Sequence, residues 1–276
     1  MIRLESGEYN LEGLRSELSP SVAARLEHLE IIPEIDSTNS ELLRRRAGPA
    51  GMARVLLAEC QTAGRGRRGR SWLAAPGEVL CLSIAWTFAP PLPELSTLSL
   101  AIGVCASTAL RRLGLEGIAL KWPNDLIACD RKLGGILIET RTEPGEAVYA
   151  VIGIGVNLAL GDLTRHNIES TGTEPIDVRE LERSQQAAPV SEGIIAARLI
   201  EAIVEGLMEF SVKGFGAFVT EWNARDALRG RPVLVRHHHG ETRGVARGID
   251  PSGALLVETP HGQQRFLSGE VSVRHV

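Results

Sequence analysis

Cysteine is scarce in this chain. Its 276 residues include four, Cys60, Cys81, Cys105 and Cys129, and none has a His or Cys neighbour at metal-ligand spacing. That pattern excludes a disulfide scaffold and reads as four small buried hydrophobes in a reducing compartment. Nor is there a long apolar run, and Met1 to Asn10 lacks both a basic n-region and an apolar h-region. No membrane span or secretory signal is therefore expected, and the reading is cytoplasmic. Positive charge is not in excess either, since 30 Lys+Arg face 34 Asp+Glu for a formal net charge of -4. That balance argues against a wholesale nucleic-acid binder, and any basic patch must be local. What is present, 43% hydrophobic and 23% charged residues, suits a globular chain with a full core and a small second domain.

Lysine is rarer still. Only Lys121, Lys132 and Lys213 occur, and every other cation is Arg. A retained Lys can mark a place where a compact ammonium serves better than a planar guanidinium; chance in a small count is the alternative.

No fixed-period repeat or low-complexity tract interrupts the chain. The pattern predicts a short helix over Ser19–Leu29 and a strand over Ile31–Ile35, then a helix start at Thr38-Asn39-Ser40-Glu41, which has capping-box spacing. Strands are expected at Arg54–Cys60 and Val79–Phe88, separated by the polar, Gly-rich loop Gln61–Ser71. Leu95–Leu113 has helical periodicity, and Ile118–Lys121, Gly135–Thr140 and Ala147–Asn157 read as strands. Strands this close in sequence leave no room for helical crossovers. The expectation is therefore an α+β fold with a largely antiparallel or mixed sheet, which excludes a doubly wound nucleotide fold. Gly161–Pro189 shows no clear period and reads as a long functional connection. Helices are expected at Ile194–Phe210 and Phe215–Asn223, and five short strands beyond Gly230 predict a small β-barrel or sandwich that leans on the main domain.

Gly64-Arg65-Gly66-Arg67-Arg68-Gly69-Arg70 concentrates four arginines and three glycines. It satisfies G-x-G-x-x-G formally, but Ser71-Trp72-Leu73-Ala74-Ala75-Pro76-Gly77 cannot open the helix which a dinucleotide fingerprint needs. Its composition suits a pliant backbone that wraps an anion, such as a phosphate or carboxylate. A nucleic-acid loop and a solvated basic turn stay open. Lys132, just ahead of Gly134-Gly135, can lie along a pocket floor, or be a surface charge beside a bulge. The alternate glycines of Val151-Ile152-Gly153-Ile154-Gly155-Val156-Asn157 clear one sheet face, for a ligand or for close packing. His237-His238-His239 reads as an exposed hairpin rather than a metal site, since neighbouring strand residues point to opposite faces.

Taken together, Asp36-Ser37-Thr38-Asn39, Gln61 through Trp72, Lys121-Trp122-Pro123-Asn124-Asp125-Leu126, Arg131 through Leu137 and Gly153 through Asn157 resemble the biotin protein ligases in order and spacing. Arg247 through Leu255 continues the resemblance, which covers Ile31 to the C-terminus. It implies a catalytic domain like that of class II aminoacyl-tRNA synthetases, with a mixed sheet and flanking helices, and a C-terminal SH3-like β-barrel. The division it suggests is an N-terminal helical extension (1–30), a biotin- and ATP-binding domain (31–228) and the barrel (229–276).

The implied activity has two steps. Biotin's carboxylate attacks the α-phosphorus of ATP to give biotinyl-5'-AMP and pyrophosphate; a lysine of a biotin carboxyl carrier protein then takes the biotinyl group. By the same resemblance, Arg67 and Lys132 are catalytic. Ser37, Thr38, Asn39, Gln61, Gly64, Arg65, Gly66, Arg67, Ser83, Lys132 and Gly135 line the biotin site. Arg67, Arg70, Trp72, Asn124, Lys132 and Asn157 are candidates for ATP. Mg²⁺ should accompany the nucleotide, held mostly by phosphates and water, with no protein ligand assigned. Bifunctional members carry an N-terminal winged helix-turn-helix; only about 35 residues precede Asp36, so a monofunctional form without DNA binding is expected. A homodimer is left open. The rival readings are a lipoate or octanoate ligase of the same fold and a nucleic-acid-binding protein using the Arg-rich loop.

Overall fold

The computed structural model describes residues 10–72, 75–237, 240–268 and 272–275. Two short helices, α1 (Leu11–Ser16) and α2 (Pro20–Ala23), lead into strand β1 (Leu26–Ile35). The expected Ser19–Leu29 helix is thus only one turn, started by Pro20 at its first position. Leu26 and its successors pair instead, in parallel, with β2 (Ala53–Gln61). A parallel neighbour needs a crossover, and α3 (Thr38–Arg44) supplies it. The N-cap is Ser37, whose side chain accepts from the Ser40 amide, so the helix begins one residue before the spacing suggested.

The sheet continues through β3 (Val79–Phe88), 3₁₀ turn Leu95–Thr97 and helix α4 (Leu98–Arg112) to β4 (Ala119–Lys121), β5 (Asp125–Ala128), β6 (Arg131–Thr142) and β7 (Val148–Asn157). Its seven strands run β1-β2-β3-β7-β6-β5-β4, antiparallel except for the first pair, which is the mixed α+β sheet expected. Strand β5 was not foreseen. Pro123-Asn124-Asp125, read as a turn closing one strand, joins two strands of a hairpin. The stretch 161–189 is also more ordered than its composition suggested. It holds α5 (Asp162–Glu169) and α6 (Val178–Gln185), short polar helices whose periodicity is buried in Thr, Glu and Gln. Long helix α7 (Glu192–Lys213) and short α8 (Val219–Ala224) follow.

Each strand has two faces, because successive side chains alternate. On β3, Leu80, Leu82, Ile84, Trp86 and Phe88 face the main core with α4 and α7, while Cys81, Ser83 and Ala85 face the other way. Helix α3 covers only part of that second face, packing Leu42 on Leu56, Ala85, Tyr149 and Val151. The remainder stays open and becomes a cleft.

Strands β8 (Pro232–His237), β9 (Gly240–Ile249), β10 (Leu255–Thr259), β11 (Gly262–Phe266) and β12 (Ser272–His275) form a second antiparallel sheet, ordered β11-β10-β9-β8-β12. It leans on the main domain as expected. Buried Trp122 donates its indole N–H to the Gly253 carbonyl at 3.0 Å, and Asn223 exchanges hydrogen bonds with Ile249. The cysteine reading needs correcting. Cys81 and Cys105 are buried, but Cys60 is only half-buried and Cys129 is exposed in a hairpin turn with positive φ; a turn position overrode the residue's usual preference for the core. His237 is half-buried, its ring against Phe266 and its Nε2 3.1 Å from the Thr242 hydroxyl, while His238 and His239 lie outside the described residues.

Candidate active site

The uncovered face of the sheet forms a cleft of about 1130 Å³. Its floor is the segment where β6 and β7 lack side chains: Gly135 faces Gly155 across the ladder, and Leu137 faces Gly153. The alternate glycines do clear a face, and the space is put to use by the protein's own groups. A Cβ on Gly153 would collide with the Asn39 carboxamide, and one on Gly155 with the Trp72 indole. Those two side chains become walls of the cleft.

One end is polar, buried and closely hydrogen-bonded. The α3 N-terminus delivers Ser37, Thr38 and Asn39, all nearly inaccessible. The Thr38 amide and hydroxyl donate to Gln61 Oε1 at 2.8 and 3.1 Å. Ser83 Oγ, fully buried, stands 2.7 Å from Thr38 Oγ1 and 2.6 Å from Asn39 Oδ1. Cys81 also lines this end, with burial pushing its thiol up to about 12, which leaves it uncharged and inert.

The other end is cationic. The Arg-rich segment is a narrow hairpin rather than an unstructured loop: Trp72 N donates to Gly64 O (2.9 Å), Gly66 N to Arg70 O (2.7 Å), and a 3₁₀ turn spans Arg67–Gly69 with Arg68 and Gly69 at positive φ. Gly64 is needed at the neck, since a Cβ there would meet the Trp72 carbonyl at 2.6 Å. Gly64 is buried and, alone among the expected site residues, does not line the cleft. The hairpin carries Arg67 inward, where it donates to Asn124 Oδ1 (3.1 Å) and to the Ser268 carbonyl of the second sheet. Desolvation by burial lowers the Arg67 pKa, with repulsion from Arg68 adding to it. Lys132 Nζ, from β6, pairs with Asp125 Oδ1 at 2.7 Å and lies 5.4 Å from the centre of the Trp72 ring. The two cations are therefore parked on adjacent residues of one turn, Asn124 and Asp125.

Trp72 sits over Gly135 and Gly155, between the two ends. Arg65 and Arg70 are exposed at the rim. Asn157 donates to the carbonyls of Lys132 (3.1 Å) and Ile176 (3.0 Å), while its buried Oδ1 has no protein partner. It ties the floor to a wall formed by residues 170–175, which line the cleft. This wall is held by backbone bonds between Lys132 and both Glu174 and Ile176, and by Arg165 on Asp177.

Sequence reasoning missed Asp125 and Glu139, and it read this wall only as part of a long functional connection, not as an ordered side of the cleft. Asp125 stood inside a quoted motif without a role; a carboxylate beside a scarce lysine was the available signal. Glu139 gave none, since only the β6–β7 register places it near Asn39. Among the described residues there is no group of three or more His, Cys, Asp or Glu fit to hold a metal ion.

Comparison with known proteins bears on what this cleft takes. The model of the biotin/lipoate A/B protein ligase family matches residues 31–157, and that of the biotin protein ligase C terminal domain matches 229–274. The bifunctional ligase/repressor BirA of Escherichia coli is 36% identical over 88% of this chain and 73% of its own length. The biotin–acetyl-CoA-carboxylase ligase of Paracoccus denitrificans is 34% identical over 87% of this chain and 98% of its own. Among solved structures, biotin protein ligase from Aquifex aeolicus in complex with biotin and ATP superposes with a TM-score of 0.72 at 27% identity, covering 91% of this chain and all of that one.

Proposed function

The chain belongs to the biotin protein ligases, ATP-dependent enzymes that attach biotin to protein, and on that premise we propose how its cleft divides the work. The buried polar end, with Ser37, Thr38, Asn39, Gln61 and Ser83, takes the ureido ring, which is neutral and needs matched donors and acceptors. Arg65, Gly66, Trp72 and Gly135 flank the rest of the biotin. Arg67 and Lys132 take the carboxylate and the α-phosphate, and Arg70, Asn124 and Asn157 complete the nucleotide end.

The observation that carries this reading is the convergence of Arg67 and Lys132 on the Asn124-Asp125 turn. Two anions must approach each other for the carboxylate oxygen to bond to the α-phosphorus while the bond to pyrophosphate breaks. Fixed cations at that point offset their repulsion and the charge that develops in transit. The acceptor amine then attacks the activated carbonyl, and AMP leaves with the bonding electron pair. Mg²⁺ fits as an ion brought by the nucleotide. Among the described residues, the carboxylates that line the cleft are Asp125, engaged by Lys132, Asp130, paired with Arg231, and Glu174, and they form no cluster, so phosphate oxygens and water would supply most ligands.

The acceptor is the lysine of a biotin carboxyl carrier protein, the compartment is the cytoplasm, in keeping with four unpaired thiols, and DNA is not a ligand. Residues 31–228 carry the chemistry, and 229–276 close the cleft from one side through Ser268 and Val273. Pyrophosphate exchange into ATP is the test: biotin should support it and lipoate should not. Exchange driven by lipoate alone would replace biotin with the rival substrate.

A further inference from the structure

One carboxylate that the division above does not use joins both walls of the cleft. Glu139 lies on β6, facing the same side as Gly135 and Leu137, with its side chain about one-fifth exposed (22%). Its Oε2 accepts from Asn39 Nδ2 at 3.1 Å, and its Oε1 accepts from Arg65 Nη2 at 2.6 Å. The second proton of Asn39 Nδ2 goes to the Leu137 carbonyl at 3.3 Å. Both partners of that nitrogen are acceptors only, so the carboxamide has one permitted orientation, with Oδ1 turned to Ser83. Asn39 Oδ1 in turn can only accept, and it shares the single Ser83 hydroxyl proton, at 2.6 Å, with Thr38 Oγ1 at 2.7 Å. Arg65, meanwhile, is half-exposed on the hairpin arm, and its other tie is a 3.1 Å bond to the Ser40 hydroxyl.

We propose that Glu139 is a positioning residue for the biotin half of the reaction: one oxygen sets the hydrogen-bond polarity of the ring site through Asn39, and the other latches the arginine arm over it through Arg65. This rests on the assignment of Asn39 and Arg65 to the biotin site. An isolated exposed ion pair would add little. Here, however, the same carboxylate also satisfies a nearly inaccessible amide, and a buried donor left without its acceptor is costly. Arm and floor are thus fixed by a single group, which makes ligand capture depend on a residue that need not touch the ligand.

The test is steady-state pyrophosphate exchange with the full chain, reading the biotin and ATP KM separately. Glu139→Gln is nearly isosteric. Its carbonyl oxygen still accepts from Asn39, but its amide offers Arg65 only donors, so it releases the arm alone; Glu139→Ala releases both. Biotin KM should rise about tenfold in the first and further in the second, with ATP KM and kcat at saturating biotin within about twofold. Glu139→Asp, which keeps the charge at shorter reach, should recover part of the loss. The Glu139→Gln/Arg65→Ala double variant should be no worse than Arg65→Ala alone, since the pair acts as one unit. An unchanged biotin KM, additive losses, or biotin and ATP parameters that decline in step with thermal stability would overturn the proposal. If Arg65→Ala and Asn39→Ala leave biotin KM untouched, the site assignment itself fails; if they raise it and Glu139→Gln does not, only the role of Glu139 fails.

Discussion

The two ends of the cleft are built on opposite plans. At one, Thr38, Asn39 and Ser83 are almost wholly buried on a strand and a helix start, and bond to one another and to Gln61, Leu137 and Glu139. At the other, arginines ride on a glycine hairpin whose tip is held by a 3₁₀ turn and by carbonyls across the cleft. On the proposed division of the cleft, the difference follows from what each end recognises. A neutral ring offers weak, directional partners, so selectivity there needs groups fixed before the ligand arrives. Phosphates offer charge, which acts at longer range, so guanidiniums carried on a solvent-facing hairpin can serve there.

The largest expected effect falls on the charged end. Arg67→Ala and Lys132→Ala should each reduce adenylate formation by roughly 10²- to 10³-fold, the scale for losing one pre-aimed charge donor, measured as single-turnover biotinyl-AMP formation. Lys132→Arg tests the scarcity of lysine: a planar fork cannot reproduce a point charge at 2.7 Å from Asp125 Oδ1, so it should recover little. Near-wild-type rates in either alanine variant would remove the contrast between the two ends.

A smaller effect is expected at the rigid end. Gly153→Ala puts a methyl group where the Asn39 carboxamide sits. Overpacking of about 1–3 kcal/mol should raise biotin KM by about ten- to a hundredfold, with ATP KM nearly unchanged, because the nucleotide end shares no group with Asn39. An equal rise in both KM values would mean that the ends are coupled through the floor.

This division also explains what could be read without coordinates. Strong periodicity made β3 and α4 legible nearly to the residue, and Gly153 and Gly155 announced an open face. Composition announced the arginine arm, because four charges on three glycines cannot be core. What stayed hidden depends on register. Glu139 reaches Asn39 only because Leu137 pairs with Gly153 and Glu139 with Val151, and a one-residue slip would turn it to the opposite face. The order of the wall at 170–175 was illegible for another reason. Its flanking helices are short and mostly polar; they are fixed by Arg165 and Arg131 on Asp177 and Glu180, and their apolar contribution to the core is little more than Ile176, Val178 and Leu181.

The smallest effect on catalysis is expected outside both ends, where the second sheet joins the first. Asp226 bridges to Leu120 there, with Oδ1 accepting from Leu228 N and buried Oδ2 without a partner. Burial pushes its carboxyl up from 3.8 to about 6. Between those values the folded chain holds a proton that the unfolded chain has released. The contribution to stability is therefore complete below about pH 4 and is lost as the pH rises through 6. Thermal melts should show this as a fall in Tm between about pH 4 and 6, and Asp226→Asn, which never ionises, should flatten that slope. Asp36 runs the opposite way. The Arg44 guanidinium, helped by the Ser37 amide, holds it at about 2, so its contribution is present above 3.8 and lost only as the pH falls toward 2. The two windows do not overlap, so a slope between about pH 4 and 6 that survives Asp226→Asn cannot come from Asp36. If Asp226→Asn instead shifts biotin or ATP KM by more than about threefold, the seam between the sheets belongs to the charged end, and the contrast between a buried polar end and an arginine hairpin must be redrawn to include the C-terminal segment that holds Arg67 through Ser268.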